Sequence, residues 1–362
     1  MSIKLYLSLT FVLIILASCE NNKSDGTIDK ALMNSTRQLK DTIGFTQYKW
    51  QLDSIVARMD PEDKLPSKDI SKAVICPHDD YAYAAGLYNK TLAGVKAKTI
   101  IMIGVAHRAR NFSLENKLIF GTFKKWKSTN GPIPTSLFRE KIMAKLPETS
   151  YVVHDSMMQL EHSLEAITPF LQKNIKQLEI IPILIPYITF ENMNLFSNQL
   201  SSAVHEVMKD QQLSFGSDIA IVISNDAIHY GSEDWGGSDL APFGVDDIGT
   251  EKARQKDLTI INECLIGDLD MKKIKQFNSY TVKQDNFKEY QWTWCGRYSL
   301  PFGLLLSNKL NMLTTNKPLS GSLIDYRSSF HNSHIEVTDL QMGHTAPANQ
   351  KHWVAYVGVS YR

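Results

Sequence analysis

The sequence predicts an α/β fold: a single domain with a mainly parallel or mixed central sheet flanked by helices. Three observations predict it. Short continuous runs rich in Ile and Val have the composition of strands buried on both faces: Ala73–Cys76 (AVIC), Thr99–Val105 (TIIMIGV), Leu178–Ile185 (LEIIPILI) and Asp218–Ser224 (DIAIVIS). Segments with apolar residues at helical spacing separate those runs. No internal repeat, low-complexity tract or Pro/Gly/Ser linker interrupts residues 70–362, which favours one domain.

The elements follow in chain order. Lys4 precedes an apolar stretch, Leu5–Ala17, that is too short to span a bilayer and has the form of a signal-peptide core. Leu16-Ala17-Ser18-Cys19 then resembles the lipobox of bacterial lipoproteins, in which the Cys receives lipid and becomes the new N-terminus. The expected organisation is a signal peptide over residues 1–18, a flexible polar tether over 19–35 and a folded domain over 36–362. The expected location is the bacterial cell envelope, with Cys19 as the lipidation site and membrane lipid as a partner. A helix is expected at Tyr48–Met59, stopped by Pro61, and another over Ala82–Val95. Leu164–Ile175 reads as a helix broken early by Pro169, and Leu178–Ile185 as a strand made irregular by Pro182. Asn192–Met208, Thr250–Leu265 and Arg297–Asn311 read as helices, and Trp353–Ser360 as the last strand.

Composition excludes some functions. Lys and Arg total 39 against 38 Asp and Glu, so the basic excess of a nucleic-acid binder is absent. Hydrophobic residues make up 43% and charged residues 21%, which excludes a disordered chain. Of four cysteines, lipidation of Cys19 leaves Cys76, Cys264 and Cys295, an odd number that makes a poor disulfide framework. Cys264 falls on an apolar helix face and reads as core.

In open α/β sheets, ligands sit outside the carboxyl ends of the strands. Polar residues stand there three times: His78-Asp79-Asp80-Tyr81, His107, and Asn225-Asp226 with His229. One histidine after a strand means little, but three strand ends together point to a common site. Glu161-His162 reads either as part of that site or as acids placed for the dipole of a helix start. Cys295, just before a helix, is either a thiolate favoured by the helix N-terminus or a buried inert thiol. Tyr290, Trp292 and Trp294 read as packing residues. His331, His334, His344 and His352 fit no ligand spacing and read as surface or loop residues.

The same segments carry a resemblance. Residues 75–88 (ICPHDDYAYAAGLY) are similar to the P-H-A-G-Y-x-Y-x-G signature of the Memo-like family, also called AmmeMemoRadiSam system protein B. In order follow IMIGVAH (101–107), EHSLEAITPFLQ (161–172), LEIIPILIP (178–186), SNDAIHYG (224–231) and TWCGRYSLP (293–301), each similar to a motif of that family. The resemblance covers about residues 36 to 361 and implies a fold like that of the class III extradiol dioxygenases, which are non-haem iron enzymes. It implies metal ligands at His78, His107 and Cys295, with Asp226, His229 and His162 as neighbouring catalytic candidates. Two imidazoles and a thiolate suit one transition-metal ion, Fe(II) or Cu first and Zn third, with positions left open.

Three departures stand out. Asp79-Asp80 replaces the family's Ala-Gly, which makes Asp79, Asp80 and Tyr81 candidates for groups behind the ligands. Val105-Ala106 replaces Pro-Ser, and Ser299 stands where Pro is usual. Three functions are then expected in competition. One is a metal-dependent oxidoreductase acting on a small molecule. Another is an iron- or copper-holding protein without turnover. The third is a scaffold that takes a peptide or protein in the same cleft.

Overall fold

The computed structural model describes residues 36–231 and 240–362. The expected leader, tether and Cys19 lie outside these residues. Among the described residues the strands are β1 (Thr36–Arg37), β2 (Ala73–Cys76), β3 (Thr99–Val105), β4 (Leu118–Phe120), β5 (Lys125–Trp126), β6 (Ile133–Pro134), β7 (Tyr151–Val153), β8 (Glu179–Ile185), β9 (Ile219–Ser224), β10 (Asp226–Gly231), β11 (Gly267–Asp268), β12 (Ser320–Ser328), β13 (Ala348–Asn349) and β14 (His352–Tyr361). The helices are α1 (Lys49–Arg58), α2 (Tyr81–Leu92), α3 (Phe138–Met143), α4 (Asp155–Leu160), α5 (Thr168–Asn174), α6 (Phe190–Asp210), α7 (Asp247–Cys264), α8 (Met271–Thr281) and α9 (Ser299–Thr315). No helix among the described residues is long and apolar enough to cross a membrane.

The main sheet runs β11-β12-β14-β2-β9-β3-β8-β4-β7. Its centre, β2-β9-β3-β8, is parallel, as the apolar runs predict. The flanks make it mixed. β14 lies antiparallel to β2 and β12, and β4 antiparallel to β8. A small second sheet pairs β1, β5 and β6.

Strand alternation sorts the core into two layers. Ile101, Ile103, Ile221 and Ile223 pack on one face with Leu200 of α6 and Leu304 and Leu306 of α9. Ile100, Met102, Ala220 and Val222 pack on the other with Ala84 and Leu87 of α2 and Phe170 of α5. Cys76 belongs to this second layer and Cys264 to the first, both fully buried. Each fully buried branched side chain contributes roughly 1.5–3 kcal/mol, so most of the stabilisation lies in these layers. α9 runs close over the sheet because Gly303 has no side chain; a Cβ there would meet Ile223 Cγ1 at 2.5 Å.

Two prolines behave in different ways. Pro169 falls in the first turn of α5, after a 3-10 turn at Glu165–Ile167, so it starts a helix rather than breaking one. Pro182 causes no irregularity. β8 stays continuous through it, paired to β3 at Met102. On its other side β8 meets partners only at Ile180 and Leu184, so the missing proline N–H costs no ladder bond there.

The register brings the strand ends level. Cys76 pairs with Ser224, so His78 and Asp226 emerge side by side just beyond their strands. β3 lies on the other side of β9 and delivers His107 to the same edge. A register shift between Asp226 and His229 then turns β10 along β14.

Candidate metal centre

Three side chains from distant parts of the chain converge on that edge. The ligand atoms of His78, His107 and Cys295 all lie within 4.8 Å of one another. Two further groups overlap this one: Asp226, His229 and Cys295, and His107, Glu161 and His162. Two ligands on one tetrahedral ion stand about 3.5 Å apart given bonds of about 2.0–2.3 Å. Cys295 Sγ is 3.3 Å from His78 Nε2, so this pair needs little movement. These groups could hold a metal ion.

Hydrogen bonds fix the rings. The Ser224 hydroxyl donates to the Ser163 carbonyl at 2.8 Å and so has no hydrogen left for His78 Nδ1, 2.7 Å away. His78 therefore donates from Nδ1, and the lone pair of Nε2 faces Cys295 and Asp226 Oδ2, the latter at 3.3 Å. His107 Nδ1 donates to Glu161 Oε1 at 2.9 Å, which leaves its Nε2 as the ligand atom. Glu161 also accepts from the backbone N–H of His107, His162 and Ser163, so its oxygens are occupied and it orients rather than ligates. The helix-start reading of Glu161 does not hold, because it caps the C-terminus of α4.

The electrostatics favour neutral imidazoles. Burial pushes His78 well below the ordinary value, and the neighbouring His107 and His162 push the same way. Burial takes His162 down to about 4 and His229 down to about 3. Burial would push the Glu161 carboxyl up, but His107 and His162 override it and hold the carboxyl well below the usual range. Burial, reinforced by Asp79, pushes Asp226 well up, and burial with Asp226 pushes the Cys295 thiol well up. The expected lowering of Cys295 by a helix N-terminus is absent, since α9 begins only at Ser299 and the thiol faces carboxylates. A bound cation would reverse this by stabilising the thiolate and carboxylate.

The remaining candidates split. His162 stacks on His107 with ring centroids 4.9 Å apart and 10° between planes. His162, His229, Asp226 and Asp79 line one cavity of about 220 Å³ with His78 and His107, closed by Asp41, Phe45, Thr345, Ala346 and Val354. Asp79 accepts from the Tyr356 hydroxyl at 2.9 Å, and burial raises its carboxyl to about 7. Asp80 points away and accepts from the Thr345 and Ala346 N–H groups, so it holds the loop that forms one cavity wall. Tyr81 also points away, its hydroxyl donating to the Ala166 carbonyl at 2.5 Å. A larger cavity of about 880 Å³ lies near Lys98 and Glu179, at the amino ends of β3 and β8, opposite the histidines.

Several supporting residues escaped sequence reasoning. Ser163 and Ser224 sit inside the quoted motifs, but nothing in the sequence assigns them to His78. Asn225 accepts from Gly296 N at 3.1 Å and seats the Cys295 loop, where a Cβ on Gly296 would lie 2.2 Å from Asn225 Oδ1. Asp257 of α7 accepts from both Trp292 and Trp294 Nε1 at 2.7 Å and from Ile228 N at 3.2 Å, tying that loop to β10. His352, read as surface or loop, is buried in β14.

Comparison with known proteins agrees with the geometry. The pattern of the Memo-like protein family matches residues 45–342. A MEMO1 family protein of Pyrococcus furiosus is 22% identical over 287 residues, covering 77% of this chain and 86% of that one. A MEMO1 family protein of Caldivirga maquilingensis is 24% identical over 190 residues, covering 51% of this chain and 62% of that one. With the match running from α1 to the loop before β13 and taking in all three converging side chains, the chain belongs to the Memo-like protein family.

Proposed function

We propose that this protein binds one transition-metal ion through His78 Nε2, His107 Nε2 and Cys295 Sγ, and that Cys19 anchors it by lipid to the bacterial cell envelope. The observation that carries the metal reading is the convergence of these atoms within 4.8 Å, with the second nitrogen of each histidine already committed to a fixed acceptor. The proposed ion is Fe(II) or Cu, with Zn the third candidate; the thiolate softens the site, which raises the standing of Cu and Zn. Such an ion supplies Lewis acidity or one-electron chemistry to a small ligand in the adjoining cavity. Its volume of about 220 Å³ suits a compact molecule better than a peptide. Asp226 steadies His78 by accepting its backbone N–H at 2.9 Å, while neutral His162 and His229 at the cavity wall are placed to accept protons.

Metal analysis of protein purified without oxygen tests this reading. The parent should hold about one ion per chain, and H78A and C295S should each lose most of it; parent-like content in both variants would remove the site. Oxygen uptake with catechols decides between turnover and holding: a rate above background supports an oxidoreductase, and background with metal retained supports the holding protein. Incorporation of labelled palmitate, absent in C19S, tests the anchor.

A further inference from the structure

A second pocket opens on the same edge of the sheet. It has a volume of about 310 Å³ and is lined by Arg110, Ser113, Leu114, Glu115, Tyr187 and Lys288. Arg297 packs against it from inside. Its guanidinium lies 5.7 Å from the Tyr187 ring, and it donates to the Lys288 carbonyl at 3.3 Å. Arg110 stands at the same 5.7 Å from the same ring. Two guanidinium groups thus flank one tyrosine.

Neither arginine has a carboxylate partner among the described residues. Arg297 is only 5% exposed, and its buried Nε has no hydrogen-bond acceptor. Besides the Lys288 carbonyl, its charge meets only tyrosines: the Tyr290 ring at 3.5 Å, Tyr298 at 4.6 Å and Tyr187. Buried charges are ordinarily paired, so a guanidinium held this way lacks an anion. The one acid in the pocket wall, Glu115, is engaged by Lys288. The pocket therefore has Arg110 in its wall and the Arg297 charge behind it, an excess of positive charge in a partly enclosed space, and Arg110 offers the planar donors that receive a carboxylate or phosphate in a bidentate fashion.

The geometry points to an oxyanion pocket lined by Arg110 and Tyr187 and backed by Arg297, which takes a carboxylate or phosphate group of a small molecule. Its place in the chain ties it to the proposed metal site. Arg110 follows His107 by three residues and Arg297 follows Cys295 by two, so each Cα lies within about 11 Å of its ligand's Cα. A role as substrate handle for that site would rest on the metal-site reading; the anion binding itself does not.

Calorimetric titration of the full chain, with metal removed by chelator, tests the pocket with inorganic phosphate and separately with acetate. One site per chain is expected. R110A and R297K should each weaken it at least tenfold, while R254A, which removes a surface charge paired to Glu251, should not. A response to phosphate alone or to acetate alone supports the pocket and names the group. No binding of either anion overturns it, as does R110A binding like the parent, or R254A weakening binding as much as R110A. Arg110 is exposed, so R110A decides the matter even if R297K fails to fold. Metal content measured on the same preparations before chelation separates the readings: metal held without anion binding removes only the pocket, and anion binding without metal removes only the metal site.

Discussion

Two hydrogen bonds decide which nitrogen of each histidine faces the cluster, and both come from side chains that touch no ligand position. Glu161 is the more demanding case. Its carboxylate accepts from His107 Nδ1 and from three backbone N–H groups, so both oxygens must be acceptors. E161Q puts an amide N–H against one of these donors and frees the His107 ring. Metal affinity should fall roughly tenfold to hundredfold, read by competition with a chromogenic chelator, with overall fold retained in circular dichroism. An unchanged affinity would return Glu161 to a structural role. The buried carboxyl of Asp79 makes a prediction about pH. Its folded value is raised to about 7, above the usual carboxyl range near 4, so its contribution to stability is full at acid pH and is lost as pH rises through about 7. His162 and His229, held at about 4 and about 3, act in the opposite sense: their contribution is full above the unfolded value near 6.5 and is lost on acidification. Removing Asp79 leaves the histidine trend unopposed. In metal-free protein, the melting temperature of D79N relative to the parent should therefore be higher at pH 8 than at pH 4.5. A difference that does not change with pH would mean that Asp79 ionises as it does in the unfolded chain.

At the scale of elements, the site depends on how closely backbone can approach backbone. The loop before α9 carries Cys295 to the end of β9 only because Gly296 leaves room for Asn225. G296A should push the loop outward and reduce metal content to a small fraction. G303A is the matched control: it forces α9 away from Ile223 and should cost about 1–3 kcal/mol of stability, yet leave metal content near one ion per folded chain. Equal metal loss in both variants would show that general loosening, not the seating of Cys295, governs the site. The elements also mark where sequence reasoning succeeds. Thr99–Val105 and Ala73–Cys76 coincide with β3 and β2, because a strand buried on both faces must be apolar at every position. The antiparallel flank is less legible. β12 reads SGSLIDYRS, half-exposed and interrupted by a register shift between Leu323 and Asp325, so it has no apolar run to detect. The histidines were visible because they follow strands of the first kind. Asp257 was not, because it sits mid-helix in α7 and its meaning depends on Trp292 and Trp294, which only the fold brings to it.

Across the whole molecule, the proposed ligands tie together parts that are remote in sequence. His78 and Cys295 are 217 residues apart, and His107, just beyond β3, lies between them in the chain. The two core layers lie on opposite faces of the sheet, whereas the ligands lie across its edge, so neither layer alone completes the site. The unfolded chain holds no such arrangement, so an ion that binds the folded state must stabilise the entire domain. At a free metal concentration of about 100 times the dissociation constant the gain is about 2.7 kcal/mol. For a domain of this size, with an unfolding entropy of about 2.1 cal/mol/K per residue, that raises the melting temperature by about 4 °C. Calorimetry of chelated and metal-loaded protein should show this shift in one cooperative transition, and C295S should abolish it. A shift that persists in C295S would locate the stabilising ion elsewhere. A loaded protein that melts in two steps, with only one step moved by metal, would mean that the two layers unfold separately and that the ion belongs to one of them.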